Sequence, residues 1–344
     1  MKKYFVLNDT RSGLHHGCEV VMQNLFNTIN KYNSDVQIAS LFTGQNITKE
    51  AWIECLKEID KVIINGEGTL HDGASYGKFL LELGYIAKRQ GKQVYLINTT
   101  WQNNPSEWLS YIQNFNAISL RDQESFNTLY NANINNIFYA PDLTFNSIHT
   151  KKIKTERLPT SIIINDSIFS QISDQLFSFA KKHQFNYNPI TKKLPQNKNQ
   201  PGYNLKKTKK LRLYKLLSLL TFNYFEPRRY YQDFLYCIDD TIEFKSKLLH
   251  SDLVITGRYH CLCFCLQMQI PVLIISSNTN KTFNLIEDIG LKNRHITTTD
   301  LKNRSLDQLY QMACYTEQEI TYLNRFQERA YQLHQIIFDQ IIGE

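Results

Sequence analysis

Short apolar runs alternate with longer amphipathic segments along the first 150 residues. The run KKYFVLN is followed by CEVVMQNLFNTINKY, in which apolar residues recur at the spacing of a helix face. The alternation continues through the runs DVQIASLF, KVIING and KQVYLINTT and the helical segments between them. Strands separated by helices of ten or more residues favour a parallel sheet that helices cover on both faces. We therefore predict a Rossmann-like domain over residues 1–150.

A second alternating set begins at PTSIIIND and continues through SQISDQLFSFAKKH to DLVITGRYH and IPVLIISS. It predicts a second Rossmann-like domain over residues 158–300, with the charged stretch 151–157 as a linker. The fold class expected from this pattern is α/β, with the two domains facing a central cleft. Residues 301–344 read as C-terminal helices with one apolar face, which we expect to pack over the first domain or onto a partner.

The net charge of +7 comes from one segment of the chain. Residues 181–230 contain thirteen Lys and Arg side chains and one acidic side chain, so the remainder is net acidic. We interpret residues 188–231 as a basic insertion in the second domain, polar at first and then rich in leucine and lysine. The apolar part is too short to span a bilayer. A basic amphipathic helix on an anionic membrane surface is one reading, and a solvated surface hairpin or an oligomer contact is equally compatible. No nucleic-acid-binding motif accompanies the charge.

The seven cysteines form no disulfide framework. Cys261, Cys263 and Cys265 alternate in sequence and lack the C-x-x-C spacing of zinc sites, so we expect small buried side chains and no metal site. The N-terminus lacks the long apolar stretch of a signal peptide. We expect a cytoplasmic protein, with peripheral contact at the inner face of the cytoplasmic membrane as the reading that the basic insertion suggests.

A glycine-rich loop follows the predicted third strand, in INGEGTLHDGASYGK. Gly66 and Gly68 permit a tight turn and close approach of a ligand to the backbone. Glu67, His71 and Asp72 lie at the carboxyl end of the strand, where open α/β sheets bind ligands. The glycine spacing is not that of a dinucleotide fingerprint. We predict a site component here, and a plain strand-to-helix corner is the alternative.

Two further motifs lie at the carboxyl ends of predicted strands in the first domain. In DTRSGLHHGCE, one of the adjacent histidines, with His16 as the choice, is a candidate general base; a helix start with Glu19 near its positive end is as compatible. In SLRDQES, Arg121 follows a short strand and Asp122, Ser119 or Ser125 is a candidate helix cap. A single Arg-Asp pair is more often structural.

The segment DLVITGRYHCLCFCLQMQIPVLIISS predicts a strand, a turn at Gly257, a helix and another strand. Arg258 and His260 would then lie at the turn instead of in the core. An arginine at this place can bind a carboxylate or phosphate through two hydrogen bonds, and a histidine can transfer a proton. A structural ion pair and a capping histidine are the alternative. A second possible anion-binding loop follows the next strand, with Ser276, Ser277, Thr279 and Lys281.

Taken together, four motifs in order resemble the polysaccharide pyruvyl transferase family, whose members transfer a group derived from phosphoenolpyruvate to a sugar hydroxyl, usually as a ketal. They are INGEGTLHD, SLRDQES, APDLTF and TGRYH with its following helix. Where family members commonly have an N-x-G-D loop, this chain reads HHGCE. The resemblance implies two Rossmann-like domains of the glycosyltransferase B (GT-B) type. It implies that Arg121 and Arg258 bind the donor's carboxylate and phosphate, and that His260 is an acid or ligand at the enol.

A second hypothesis is a glycosyltransferase whose donor is an acidic sugar activated by cytidine monophosphate (CMP), such as Kdo or a sialic acid. That donor carries the same two kinds of anionic group, so the same arginines would suit it. Asp72 or Glu67 would then serve as nucleophile or base. Both enzymes would use lipid-linked or oligosaccharide acceptors in bacterial surface-polysaccharide synthesis, without a cofactor. A non-catalytic carbohydrate- or nucleotide-binding scaffold is the third class.

Overall fold

The computed structural model describes residues 2–147, 159–195, 205–220, 235–275 and 280–343. Contacts within the chain divide it into two compact units. The first unit contains Met1–Thr10, Val20–Ser147 and Asn324–Glu344, and the second contains Arg11–Glu19 and Ile148–Leu323. The segment 301–344 is therefore divided between the units, and the short loop 11–19 groups with the second. The predicted linker, 151–157, lies outside the described residues.

The first unit is a six-stranded parallel sheet in the order β2-β1-β3-β4-β5-β6. Its strands are β1 Lys2–Asp9, β2 Val36–Phe42, β3 Lys61–Glu67, β4 Gln93–Thr99, β5 Ala117–Leu120 and β6 Ile137–Tyr139. Its helices are α1 His16–Tyr32, whose first turn groups with the second unit, α2 Lys49–Leu56, α3 Ser75–Arg89, α4 Leu109–Ile112 and α5 Gln123–Asn131. Gly91, with a φ of 75°, follows the end of α3 and permits the left-handed turn there.

Both faces of this sheet are buried, as the apolar strands predicted. Successive side chains of a strand point to opposite faces. Accordingly, Phe5 and Leu7 of β1 belong to one core cluster, and Tyr4 and Val6 belong to the cluster on the other face. A parallel sheet covered on both sides places its ligand-binding loops at the carboxyl ends of its strands.

The last helix supplies part of the second of these cores. Helix α13, Glu317–Ile342, ends with Phe338 and Ile341 buried in the cluster that contains Tyr4. Lys61 Nζ, itself buried, donates a 2.7 Å hydrogen bond to the backbone oxygen of Ile341 near the helix end. The apolar face of the C-terminal segment thus packs on the first unit, one of the two outcomes expected from its pattern.

The second unit contains a four-stranded parallel sheet in the order β10-β9-β7-β8. Its strands are β7 Ile162–Ser167, β8 Asn186–Tyr187, β9 Leu253–Gly257 and β10 Val272–Ile274. Its helices are α6 Ser170–His183, α7 Leu205–Leu220, α8 Thr241–Leu249, α9 Tyr259–Met268, α10 Lys281–Ile289, α11 Thr298–Asn303 and α12 Leu306–Ala313. The predicted strand, turn at Gly257, helix and strand are confirmed by β9, α9 and β10.

Helix α9 is buried along its whole length. Cys261, Cys263 and Cys265 are therefore small buried side chains, as predicted, and none of them forms a disulfide bond with another described residue. The beginning of the predicted basic insertion is part of the folded unit, because Ile190 is fully buried and Thr191 forms a β-bridge with His15. Within the described parts of the chain, no helix has the length and apolar character needed to cross a bilayer.

His334 of α13 gives the first unit an acid-sensitive contact. Its buried Nε2 donates a 2.7 Å hydrogen bond to the backbone oxygen of Pro141, and burial lowers the pKa of His334 to about 4. Because the unfolded histidine has a pKa of about 6.5, the unfolded state binds more protons between these values. We expect the free energy of unfolding to fall by on the order of 3 kcal/mol as the pH drops from 6.5 to 4.

His334→Gln, which keeps a donor, should weaken this dependence in urea unfolding curves measured at steps between pH 7 and pH 4. His250→Gln, the same substitution at an exposed histidine of the second unit, is the matched control. Equal profiles for wild type and His334→Gln would show that His334 does not contribute.

Candidate functional site

The turn between β9 and α9 positions the polar residues that the sequence singled out. A side chain at Gly257 would place Cβ 2.6 Å from Cβ of Ser167, so glycine lets β9 lie close to β7 here. Arg258 follows in extended conformation as the N-cap residue, and its backbone N–H donates to Thr256 Oγ1 at 2.9 Å. Arg258 and His260 are consequently at the carboxyl edge of the sheet, where ligands of open α/β folds bind.

The guanidinium of Arg258 is anchored by a buried carboxylate. Its Nε donates to Asp166 Oδ2 at 2.7 Å, and Nη2 forms an ion pair with the same oxygen. Asp166 is 2% exposed and accepts the N–H of Ile190 with its other oxygen at 3.0 Å. No hydrogen bond within the described chain uses Nη1 of Arg258. One edge of the guanidinium is therefore fixed, and Nη1 retains donors that can bind an anion.

Two histidines meet beside this arginine. The rings of His15 and His260 are 5.3 Å apart between centroids, with an angle of 66° between their planes. Burial, followed by the positive field of His260, Arg258 and Lys281, lowers the pKa of His15 well below its ordinary value. Lys281, the first residue of α10, places Nζ 5.7 Å from the ring centroid of Tyr259. We call His15, Arg258, His260 and Lys281 the α9 cluster.

The start of α1 is shaped to accept His260. A side chain at Gly17 would place Cβ 2.2 Å from Cβ and Cγ of His260, so only glycine leaves room for the imidazole. Cys18 follows Gly17, and one potential ligand atom of each of His15, Cys18 and His260 lies within 4.8 Å of the others. The sequence analysis did not identify this group, because His260 is far from His15 and Cys18 along the chain and only the fold brings the three together.

His16, the predicted general base, is fully buried. It stacks on Phe244 with centroids 4.3 Å apart, and its Nδ1 lies 2.8 Å from Thr241 Oγ1. Burial and then the charge of Lys192 lower the pKa of His16 to about 4. Thr241 also donates to Glu19 Oε2 at 2.8 Å, the carboxylate oxygen paired with Lys192. This geometry favours His15 over His16 for contact with a ligand, a choice that the pair HH in the sequence did not reveal.

The predicted glycine loop of the first unit has unusual backbone geometry. Asn8, Glu67 and Asn98 are the last or last-but-one residues of the neighbouring strands β1, β3 and β4, and their φ values are 66°, 42° and 56°. Asparagine tolerates this left-handed region, but glutamate rarely occupies it. Glu67 is buried and accepts from Asn65 Nδ2 at 3.3 Å. A side chain at Gly66 would lie 1.9 Å from Thr99 Oγ1, so that glycine is required by packing. Such strain commonly marks functional edges.

Beyond Glu67 the loop continues through Gly68, which is half-buried, to His71 and Asp72. Asp72 has a φ of 52° and a side chain that is 51% exposed. Its carboxylate lies 2.9 Å from His71 Nδ1 and accepts from Asn103 Nδ2 at 3.0 Å. The hydrogen bonds from His71 and Asn103 lower the pKa of Asp72. Asp72 is thus an accessible carboxylate, whereas Glu67 is an enclosed one.

Arg121, the other predicted donor ligand, is 1% exposed. Its Nη1 donates to Asp142 Oδ2 at 2.9 Å and its Nε donates to Thr100 Oγ1 at 2.7 Å. The ion pair joins the motifs SLRDQES and APDLTF. Asp122 caps α5 through the N–H of Ser125, as one of the predicted caps. Arg121 therefore acts as a buried structural tie in this geometry, and a role in donor binding stays a prediction.

Removing Arg121 should destabilise the fold. Arg121→Ala leaves the buried carboxylate of Asp142 without the positive charge of Arg121, and breaking such a pair typically costs about 3–5 kcal/mol. We expect this loss in the free energy of unfolding measured by urea titration. Arg89→Ala, at an exposed arginine of α3, is the control and should change the value by less than about 0.5 kcal/mol. A fully stable Arg121→Ala protein would rule out the structural role.

Of the remaining predicted site residues, one lies in the α9 cluster and three lie outside the described residues. Lys281 belongs to the α9 cluster, whereas Ser276, Ser277 and Thr279 lie outside the described residues. A cavity of about 600 Å³ lies between α6 and the helices α11 and α12, with Phe179, Lys182 and Lys302 among its lining residues. None of the predicted site residues lines it. The α9 cluster, where cations and histidines converge at a sheet edge, is the stronger candidate for chemistry.

Comparison with known proteins gives one family and a fold. The family model described as polysaccharide pyruvyl transferase matches residues 15–279. A sequence search of curated proteins finds no significant match. Among solved structures, the co-structure of Staphylococcus aureus MnaA with UDP has a TM-score of 0.56 at 11% identity and covers 100% of this chain and 98% of that one.

Two further structures agree. The Methanocaldococcus jannaschii UDP-GlcNAc 2-epimerase, in complex with UDP-GlcNAc and UDP, has a TM-score of 0.52 at 11% identity, covering 98% of this chain and 99% of that one. TcCGT1 in complex with UDP has a TM-score of 0.50 at 10% identity, covering 99% of each chain. At these identities the likeness shows the fold alone, two Rossmann-like domains of the GT-B type.

Proposed function

The chain belongs to the polysaccharide pyruvyl transferase family, and from this premise we propose that it transfers a pyruvyl group from phosphoenolpyruvate to a sugar hydroxyl. The acceptor in this proposal is a lipid-linked or oligosaccharide precursor of a bacterial surface polysaccharide. The observation that carries the proposal is the α9 cluster, in which Arg258, His260 and Lys281 meet at the carboxyl edge of the second sheet.

The charge of the α9 cluster suits this donor. Phosphoenolpyruvate has a carboxylate and a phosphate, and it requires donors for two anionic groups held close together. Arg258 offers Nη1 from a guanidinium that Asp166 already orients, so little side-chain entropy is lost on binding. Lys281 adds a second positive charge, and the field that lowers the pKa of His15 is the field that favours an anion.

The chemistry requires one proton donor and one proton acceptor. For a ketal, a sugar hydroxyl oxygen bonds to C2 of the enol while a proton adds to C3. Phosphate then leaves with the electrons of its bond to C2, and a second hydroxyl oxygen bonds to C2 and loses its proton. We assign the transfer of the proton to C3 to His260. The bases that the sequence suggested, Glu67 and Asp72, belong to the first unit, and turnover measurements on their variants test that role.

A glycosyltransferase that uses a CMP-activated acidic sugar is the second candidate function. The charge of the α9 cluster suits its carboxylate and phosphate equally well. The GT-B fold favours it further, because fold neighbours are described in complex with the nucleotide UDP. The two functions predict different ligands for the purified protein: phosphoenolpyruvate for the pyruvyl transferase and CMP for the glycosyltransferase.

Thermal-shift titration with phosphoenolpyruvate, CMP and UDP separates the two. A ligand at about 100 times its dissociation constant stabilises the native state by about 2.7 kcal/mol. We expect this effect from phosphoenolpyruvate and expect at least a tenfold weaker affinity in Arg258→Lys and His260→Asn. Arg258→Lys keeps a positive charge beside the buried Asp166, so the fold should survive. His250→Asn, at an exposed histidine, is the control.

Stabilisation by CMP or UDP, with none by phosphoenolpyruvate, would contradict pyruvyl transfer and support the glycosyltransferase. Phosphoenolpyruvate binding that both variants retain in full would place the donor elsewhere than the α9 cluster. The release of phosphate from phosphoenolpyruvate in the presence of an oligosaccharide acceptor is then measured for Glu67→Gln and Asp72→Asn. The base is the residue whose variant has a reduced kcat and still binds the donor.

We further propose that α7 contacts an anionic membrane surface. Its first half has exposed Lys206, Lys207, Lys209, Lys210 and Arg212, and no acidic residue occurs in the helix. Its second half exposes Leu213, Leu216 and Leu220, each more than half exposed. Cations followed by leucines along one helix suit lipid head groups and the acyl boundary respectively.

Vesicle co-sedimentation tests this contact. We expect binding to vesicles that contain phosphatidylglycerol, weaker binding at high salt, and little binding to phosphatidylcholine alone. Combined Leu213→Ser, Leu216→Ser and Leu220→Ser should abolish it. The matched control is Tyr130→Ser with Ile242→Ser, two exposed apolar residues outside α7. Unchanged sedimentation of the leucine variant would rule out insertion of α7.

A further inference from the structure

We propose that His15, Cys18 and His260 bind a soft divalent metal ion of the zinc class. One potential ligand atom of each residue lies within 4.8 Å of the other two. Imidazole nitrogen and thiolate sulfur are the ligands that zinc prefers. The proposal goes beyond the transferase function, because it concerns a metal-bound form of the chain in which His260 is a ligand and does not donate the proton to C3.

The set matches the ligand number of an open zinc site. Zinc in proteins is tetrahedral, at about 2.0–2.1 Å from nitrogen and about 2.3 Å from sulfur. Those lengths separate two ligand atoms by on the order of 3.5 Å. Closing the described group around an ion therefore requires its ligand atoms to approach one another by on the order of 1 Å. Three protein ligands leave the fourth position open, as in catalytic zinc sites.

The backbone holds the three residues from two directions. His15 precedes α1 and forms a β-bridge with Thr191, while Cys18 lies in the first turn of α1. The positive end of a helix stabilises a thiolate there. His260 lies in the first turn of α9 and rests on Gly17, where a side chain would collide with it. The absence of a side chain at Gly17 is what allows His260 to approach Cys18.

Two features of the group oppose metal binding. His15 Nδ1 accepts the N–H groups of Gly17 and Cys18 at 3.1 and 3.4 Å, and a metal ion at this nitrogen would replace both contacts. Arg258 and Lys281 add positive charge nearby. An anion in the open position would offset that charge. We therefore expect metal affinity and affinity for a carboxylate or phosphate ligand to reinforce one another.

Zinc titration of the chelator-treated full chain, purified without a histidine tag, tests the proposal. We expect one Zn²⁺ per chain by isothermal titration calorimetry, and at least a 100-fold loss of affinity in Cys18→Ser and in His15→Asn. Cys55→Ser, at a half-buried cysteine of α2, and His250→Asn are the matched controls and should bind as wild type. Co²⁺ added to the wild-type chain should produce the charge-transfer absorption of a cobalt–thiolate bond, lost in Cys18→Ser alone.

Three results would overturn the proposal: no stoichiometric Zn²⁺ binding, binding that Cys18→Ser and His15→Asn retain, or a Co²⁺ spectrum without thiolate absorption in the wild-type chain. The last measurement needs no variant, so it stands even where a substitution fails to fold. Phosphoenolpyruvate binding by the chelated protein is measured separately. Its failure with successful zinc binding would reject the donor alone, and the converse would reject the metal alone.

Discussion

The buried ion pair of Asp166 and Arg258 is the constraint on which the candidate site depends. It joins the ends of β7 and β9, two neighbouring strands. The second carboxylate oxygen of Asp166 holds the N–H of Ile190, and the carbonyl of Ile190 accepts the N–H of His16 at 3.1 Å. The same charge pair thus positions the arginine and, through two hydrogen bonds, the first residue of α1, which His15 immediately precedes. Breaking such a pair leaves a charge in the interior, which gives the arrangement its rigidity.

The first unit also contains an ion pair between an arginine that follows a strand and an aspartate. Arg121 and Asp142 form an ion pair that is more deeply buried than that of Arg258, and both of these arginines follow the final residue of a parallel strand. The difference lies in what remains available to a ligand. Arg258 keeps one-fifth of its side chain exposed, whereas Arg121 is enclosed. Both arginines directly follow a strand, but only the side chain of Arg258 is accessible to a ligand.

The sequence predicted the features that depend on interactions between residues close together in the chain. The turn at Gly257, the buried cysteines of α9 and the cap at Asp122 follow from hydrophobic period and turn chemistry, and the structure confirms them. The partner of Arg121 is Asp142, twenty-one positions along the chain, and no pattern indicated that pairing. The choice between His15 and His16 depends on which ring Phe244 covers. Contacts of this kind arise from tertiary packing, so a single sequence does not show them.

The burial of the end of α13 against the first sheet has a consequence for the order of synthesis. Phe338 and Ile341 complete the core that contains Tyr4, yet the ribosome makes them after the whole second unit. A nascent first sheet would present that apolar face, with Lys61 lacking the carbonyl of Ile341. Its final packing therefore waits until the second unit has been synthesised, and until then the growing chain exposes that apolar face.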